Sequence, residues 1–167
     1  MISIRWCLQQ KDGLQLIEPN ENMAISYLYM AEESISTLQG AEKSKLWTAT
    51  MTYYIFYYSL YAFMIRMGVK CEIHSCSLVF MQQFLKEVYT QQDMTMIKKA
   101  FSARSDLQYY TDRPVKEEII EETKRYCKDF YIKTKDVLAK LSEQQIETIR
   151  NDLISYRNQF KDMKRKR

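Results

Sequence analysis

Apolar residues recur every three or four positions over most of the chain, which is the spacing of one face of an α-helix. Asn20 offers a side-chain oxygen for the start of a first long helix, and Gly40 is expected to end it. Its apolar stripe consists of Ala24, Tyr27, Leu28, Ala31, Ile35 and Leu38. A second, tyrosine-rich helix is expected from about Lys43 to a C-terminal glycine cap at Gly68.

Three further helices follow from the same pattern. Ser75 is expected to cap a short one, another begins near Asp93, and the sequence Asp-Arg-Pro at 112–114 breaks it. Residues 115–141 then predict a long amphipathic helix with a face of Lys and Glu.

A capping-box sequence, Ser142 with Gln145, predicts the start of a last helix. Its apolar residues alternate at three and four positions: Ile146, Ile149, Leu153, Tyr156 and Phe160. Such a seam must be buried, either against the bundle of the same chain or against a second copy, and the pattern leaves both open.

These elements predict one all-α domain, an up-and-down bundle of four to five core helices with extra N- and C-terminal helical segments. The core is expected over 22–141, after an N-terminal segment at 1–21 and before a C-terminal helix with a basic tail at 142–167. Residues 46–65 carry no charge and are long enough to span a bilayer. Their many hydroxyl groups favour burial by other helices instead, and no membrane association is expected.

Composition narrows the function only a little. The net charge is +4 and the basic residues cluster at the end of the chain, which permits an acidic partner such as RNA. Four cysteines without a framework spacing, and no leader pattern, predict a reducing cytoplasm. With only three glycines, neither a phosphate loop nor a dinucleotide fingerprint is visible, so no cofactor is expected.

Arg104 is the most informative candidate. It follows Ile97, Ala100 and Phe101 at helical spacing, so it lies on the face that points inward. A buried guanidinium needs a partner. Either a carboxylate, for which Glu32 or Glu33 is a candidate, or backbone carbonyls bind it, or the face opens onto a groove that binds an anion.

Several segments together resemble the HEPN superfamily, and most closely its compact prokaryotic branch. They are the tyrosine-rich run from Tyr53-Tyr54 to Ala62, Gly68, His74-Ser75, Ala103-Arg104 with Tyr109-Tyr110, and the long helix from Val115 to Leu141. The resemblance covers roughly 22–141. It implies a helical bundle, commonly a homodimer, often encoded beside a small nucleotidyltransferase as its toxin-like partner.

Catalytic members of that superfamily are metal-independent RNases with an Arg followed after four to six residues by a His. Arg104 matches the Arg, but Tyr109, Tyr110 and Thr111 occupy the positions of the His. Because tyrosine has a pKa near 10, it is a poor proton-exchanging group at neutral pH.

We therefore expect a subunit of toxin-antitoxin type that binds RNA or a nucleotide, or that associates with a protein partner. Ribonuclease activity is an alternative. The expected phosphate site consists of Arg104, Asp106, Tyr109, Tyr110, Tyr54 and His74. Arg104 and Tyr109 would be its catalytic candidates if the protein were an RNase. A module that only docks another protein is the further alternative, based on the seam of the last helix.

Cys71, His74 and Cys76 are potential metal ligands within six residues. They lack the paired Cys-x-x-Cys spacing of zinc sites, so no metal is expected. The two cysteines are interpreted as small apolar side chains at helix ends. His74 is expected to form a hydrogen bond in its loop or to face the same groove as Arg104.

Overall fold

The computed structural model describes residues 2–41, 43–110 and 112–165, with side chains as far as residue 159. The described residues form seven helices: α1 (Ile4–Cys7), α2 (Glu21–Ala41), α3 (Lys45–Arg66), α4 (His74–Phe84), α5 (Gln91–Tyr109), α6 (Glu117–Ala139) and α7 (Glu143–Arg165). Two short strands, β1 (Gln15–Leu16) and β2 (Val69–Lys70), pair antiparallel. The predicted all-α bundle is confirmed.

Helix α3 lies at the centre of the bundle, with α2, α5 and α6 packed around it. Between residues 48 and 65, every side chain is buried except Met51, Tyr54 and Tyr58. The core around it is aromatic: the ring of Phe130 on α6 meets that of Phe56 edge-on at 5.1 Å. The uncharged stretch is thus covered by neighbouring helices, as predicted. Within the part of the chain that is described, no helix has the length and apolar character of a membrane span.

Polar side chains cap five of the described helices, with Ser3 at α1 and Ser44 at α3. The backbone N–H of Met23 donates to Asn20 Oδ1 at 2.8 Å, which confirms the predicted cap of α2. The predicted capping box of α7 is also present, because Gln145 Oε1 accepts from the N–H of Ser142 at 2.9 Å and Ser142 Oγ accepts from the N–H of Gln145 at 3.3 Å. At α5, Thr90 and Asp93 form a further capping box.

Two predicted helix boundaries are wrong. Helix α2 continues through Gly40 to Ala41, because a glycine in a helix costs only about 1 kcal/mol and the preceding stripe is well packed. Helix α4 begins at His74 with Ile73 as its N-cap and no side-chain cap, so Ser75 lies within its first turn. Packing of the His74 ring on α3, described below, fixes this earlier start.

Gly68 ends the α3 region with a left-handed backbone, φ 67°. Arg150 on α7 reaches over it, and its Nη1 donates to the carbonyls of Ile17 and Met67 at 2.8 Å and of Gly68 at 3.2 Å. A Cβ at Gly68 would lie 2.0 Å from this Nη1. The position therefore requires glycine for both its conformation and its space.

The seam of α7 is buried, at least in its first half, against its own chain. Ile146 and Leu153 are each 1% exposed, and Tyr156 packs edge-on against Phe84 of α4. The side chain of Phe160 and the basic tail lie outside the described side chains. Pairing of this helix with a second copy stays a prediction.

The N-terminal segment was predicted to be helical and contains the short helix α1. A disulfide between Cys7 and Cys76, 69 residues apart in sequence, fastens it to the bundle. The interpretation of Cys76 as an unpaired apolar side chain is therefore wrong. Sequence spacing did not show the pair, because it is the packing of α1 on α4 that brings the two Cα atoms to 5.6 Å. The predicted cytoplasmic location, which used the lack of a disulfide framework, stays a prediction.

Candidate functional site

Arg104 lies on the inward face of α5, as its spacing predicts. Ile97 and Ala100 on the same face are almost completely buried, whereas Arg104 itself is half-buried. Three tyrosine rings surround its guanidinium, with Cζ-to-centroid distances of 5.7 Å to Tyr53, 5.8 Å to Tyr54 and 5.3 Å to Tyr109. These distances lie within the range of cation–π attraction.

Arg104 forms no ion pair or hydrogen bond with any described residue. Its Nε is buried without an acceptor. The side chain as a whole is only partly buried. Of the two interpretations of this arginine, neutralisation by a carboxylate or by carbonyls is excluded for the described residues. The guanidinium is flanked by aromatic rings, and no described residue supplies an acceptor to it.

His74 and Arg104 both contact Tyr53. The Tyr53 hydroxyl and His74 Nδ1 are 2.6 Å apart, and the imidazole stacks on the ring of Tyr57 with centroids 3.9 Å apart. Burial, and then the positive charge of Arg104, lower the pKa of His74. Burial raises the pKa of Tyr53. At neutral pH the imidazole is therefore uncharged, and one hydrogen is shared between its Nδ1 and the Tyr53 hydroxyl.

We refer to Arg104, Tyr53, Tyr54, His74 and Tyr109 as the Arg104 cluster. Three elements build it: α3 supplies two tyrosines, the first turn of α4 supplies the histidine, and α5 supplies the arginine and Tyr109. Tyr109 is 66% exposed, so one face of the cluster is open. The predicted proximity of Arg104, Tyr54 and Tyr109 is present, and His74 joins them through Tyr53.

Asp106 and Tyr110 do not belong to this cluster. The Asp106 carboxylate pairs with Arg113 at 3.3 Å, and the Arg113 guanidinium lies 3.7 Å from the centre of the Tyr110 ring. Positions 104 and 106 are about 200° apart around the axis of α5. The side chain of Asp106 therefore points away from that of Arg104. It lines a separate cavity of about 480 Å³ together with Lys98, Lys99, Lys116 and other residues.

Glu32 does not pair with Arg104 either. Its Oε1 accepts from Lys135 Nζ at 2.8 Å and from the Tyr131 hydroxyl, both on α6. The reason is geometric, since the α2 face that carries Glu32 is turned toward α6. Hydrogen bonds from Lys135 and Tyr131 lower the pKa of this carboxyl.

The three potential metal ligands around His74 have other partners. Cys76 is in the disulfide, and the Cys71 thiol donates to the carbonyl of Ile73 at 3.3 Å. Among the residues with described positions, no group of three His, Cys, Asp or Glu side chains is arranged for a metal ion.

Sequence analysis missed Tyr53 as the residue that connects the arginine with the histidine. The tyrosines of α3 form two rows, within which successive rings lie about one turn apart: Tyr53, Tyr57 and Tyr61 are buried, whereas Tyr54 and Tyr58 are partly exposed. Their spacing of four residues was visible in the sequence and could have separated an inner row from an outer one.

No protein-family model matches the chain, and no curated protein or solved structure shows a significant match to it. A function for the Arg104 cluster is therefore inferred from its side chains alone.

Proposed function

We propose that the Arg104 cluster binds a phosphate group of RNA or of a nucleotide. One observation carries this proposal: a half-buried guanidinium that no described residue neutralises and that lies within 6 Å of three tyrosine rings. Arginine binds phosphate through two parallel N–H donors. The exposed ring of Tyr109 offers a stacking surface for a base beside that phosphate.

The resemblance to HEPN proteins supports the same proposal, and it adds further hypotheses that no structural observation tests. These are membership of that superfamily, a homodimer, and a role as the partner of a small nucleotidyltransferase in a toxin-antitoxin pair.

The experiment is equilibrium binding of AMP and of inorganic pyrophosphate at 50 mM and 300 mM salt, followed by calorimetry or NMR. Arg104→Ala is compared with Arg113→Ala, which removes an arginine that already has a partner in Asp106. We expect Arg104→Ala to weaken binding about 10- to 100-fold, which corresponds to the roughly 1.5 to 3 kcal/mol of a charge-assisted hydrogen bond. Arg113→Ala should leave the affinity unchanged. If the wild type binds neither ligand at low salt, or if the two variants bind equally, the proposal fails.

Ribonuclease activity is the second candidate function, and the position of His74 favours it. Helix α5 carries no histidine, but the neutral imidazole on α4 lies close enough to Arg104 for the arginine charge to lower its pKa. A base of this kind, beside a cation that stabilises phosphate charge, is what RNA transesterification needs.

Incubation with bulk RNA in EDTA tests this activity. Cleavage that is lost in both Arg104→Ala and His74→Asn would support an RNase, whereas binding of RNA without cleavage by the wild type would leave a binding protein. Docking of a protein partner is the remaining alternative, and it is distinguished by salt, because apolar association does not weaken steeply as salt rises.

A further inference from the structure

We infer that the Arg104 cluster is one part of a longer groove that binds a single-stranded oligonucleotide. This inference rests on the proposed function and extends it, because it names a strand of several nucleotides, rather than one nucleotide, as the ligand.

The floor of the groove is a stripe of α3 side chains that the neighbouring helices cover only in part. Met51, Tyr54 and Tyr58 are the side chains between 48 and 65 that are not buried, and Trp47, one turn earlier, is 53% exposed. Their spacing of four, three and four residues places them on one line. At about 1.5 Å per residue the line from 47 to 58 is about 16 Å long. We call this surface the α3 groove.

Helices α2 and α5 form its two sides. On the α2 side, the ring of Tyr27 lies 6.1 Å from that of Tyr58, and Thr37, Gly40 and Ala41 line a cavity of about 330 Å³ with Trp47 and Met51. On the α5 side, Arg104 lies over Tyr54, and the Gln108 side chain donates to Thr50 of α3 at 3.4 Å. The aromatic floor therefore has contacts to α2 on one side and to α5 on the other, with a cavity at its Trp47 end.

The charges along the groove favour a nucleic-acid strand. Arg104 lies near its middle, and Lys43 lines the cavity at the Trp47 end. Of the three acids that the sequence suggested for this region, Glu32 is held by Lys135 and Asp106 by Arg113, whereas Glu33 is exposed on α2. Aromatic side chains with isolated cations are the features that bind single strands, since every base has a face that can stack.

An apolar helix from a protein partner fits this groove less well. It would cover Arg104 without supplying an acceptor, and a buried unpaired charge is costly. A strand of RNA instead brings phosphates to the arginine and bases to the rings. With about 3.4 Å between stacked nucleotides, the groove accommodates roughly five.

The test measures the affinity of 3′-fluorescein oligouridylates of two, four, six and ten nucleotides by fluorescence anisotropy. Trp47→Leu removes a stacking ring from the groove, and Trp6→Leu is the matched control, because Trp6 is a similarly exposed tryptophan (41%) on α1. Since one stacked base contributes a factor of about 5 to 150, we expect Trp47→Leu to weaken six-nucleotide binding by that factor and to leave AMP affinity unchanged. Trp6→Leu should bind as the wild type does, and affinity should rise with length up to about five nucleotides.

The outcomes separate the two proposals. If AMP binds through Arg104 but six nucleotides bind no better than two, and Trp47→Leu has no effect, the groove inference is overturned and the phosphate site stands. If neither AMP nor any oligonucleotide binds, both fail. If Trp47→Leu dissociates a dimer in light scattering while RNA affinity is unchanged, the groove is the interface with a second copy, and the inference is also overturned.

Discussion

Replacing Asp93 by asparagine should destabilise the bundle by about 3 kcal/mol. The Asp93 side chain is 2% exposed, and its carboxylate accepts four hydrogen bonds: from the N–H and the hydroxyl of Thr90 at 2.7 and 2.9 Å, from the Tyr126 hydroxyl at 2.9 Å and from Lys133 Nζ at 2.5 Å. It thus caps α5 and connects it to two residues of α6.

The magnitude follows from the number of donors. A hydrogen bond to a charged group contributes about 1.5 to 3 kcal/mol and a neutral one about 0.5 to 1.5. Asparagine keeps the shape of the side chain but not the charge, so each of the four bonds loses about 1 kcal/mol. The Lys133 side chain is 33% exposed and regains some hydration, which reduces the sum to about 3 kcal/mol.

The assay is urea unfolding at pH 7, with Asp136→Asn as the control because Asp136 is an exposed aspartate on α6. That change should stay within about 0.5 kcal/mol of the wild type. A loss below about 1 kcal/mol in Asp93→Asn, or one equal to the control, would refute the idea that this carboxylate acts as a charged centre.

The same residue predicts a pH dependence. Burial opposes the charged form of Asp93, but the hydrogen bonds from Lys133, Thr90 and Tyr126 prevail and lower its pKa below the ordinary value of 3.8. An unfolded chain therefore binds this proton more readily. The stabilisation is complete above about pH 4 and is lost as pH falls through the lower, folded-state pKa. The difference between wild type and Asp93→Asn should shrink accordingly when unfolding is repeated toward pH 3.

Three further predictions concern other contacts. Arg150→Met should cost about 2 kcal/mol in urea unfolding, since one cation serves three carbonyls, and Arg150→Lys should recover part of it; equal stability of Met and wild type would contradict this. The pKa of His74 is lowered in the folded state, so the unfolded chain is protonated at this residue first as pH falls. The free energy of unfolding should therefore decrease between pH 7 and pH 5, by at most about 1.4 kcal/mol per pH unit. His74→Phe should flatten this slope, and an unchanged slope would argue against a neutral buried imidazole. Reduction with dithiothreitol, or Cys7→Ser, should lower the free energy of unfolding by about 2 to 4 kcal/mol, because the disulfide closes a long loop. Mass spectrometry of the alkylated native protein checks that the disulfide exists, and free thiols at both positions would contradict it.

Much of the bundle was predictable because its signals are local. The caps at Asn20 and Ser142 depend on side chains within three residues of the amides that they bind, and the stripes of α2 and α6 follow the helical period. The start of α4 was not predictable in this way. His74 begins that helix because its ring packs on Tyr57 and bonds Tyr53, and these residues are 17 and 21 positions away in the chain.

In the candidate site, too, the features that depend on local spacing were predictable and those that depend on distant contacts were not. The inward position of Arg104 follows from its helical spacing, and so does the separation of Asp106, which a 200° turn places on the far side of α5. The partner of Glu32 depends instead on which face of α2 meets α6. The disulfide depends on where α1 docks. No spacing in the sequence encodes either of these facts.

The two ends of α3 differ in what substitutions they tolerate. At its C-terminal end, Gly68 has a left-handed backbone and no room for a Cβ beneath Arg150, so we expect most changes there to unfold the corner where the N-terminal segment, α3 and α7 meet. Along the rest of the helix, Trp47 is exposed, and Met51, Tyr54 and Tyr58 are only partly buried. Substitutions between Trp47 and Tyr58 can thus change ligand preference one side chain at a time, while the corner at Gly68 maintains the architecture.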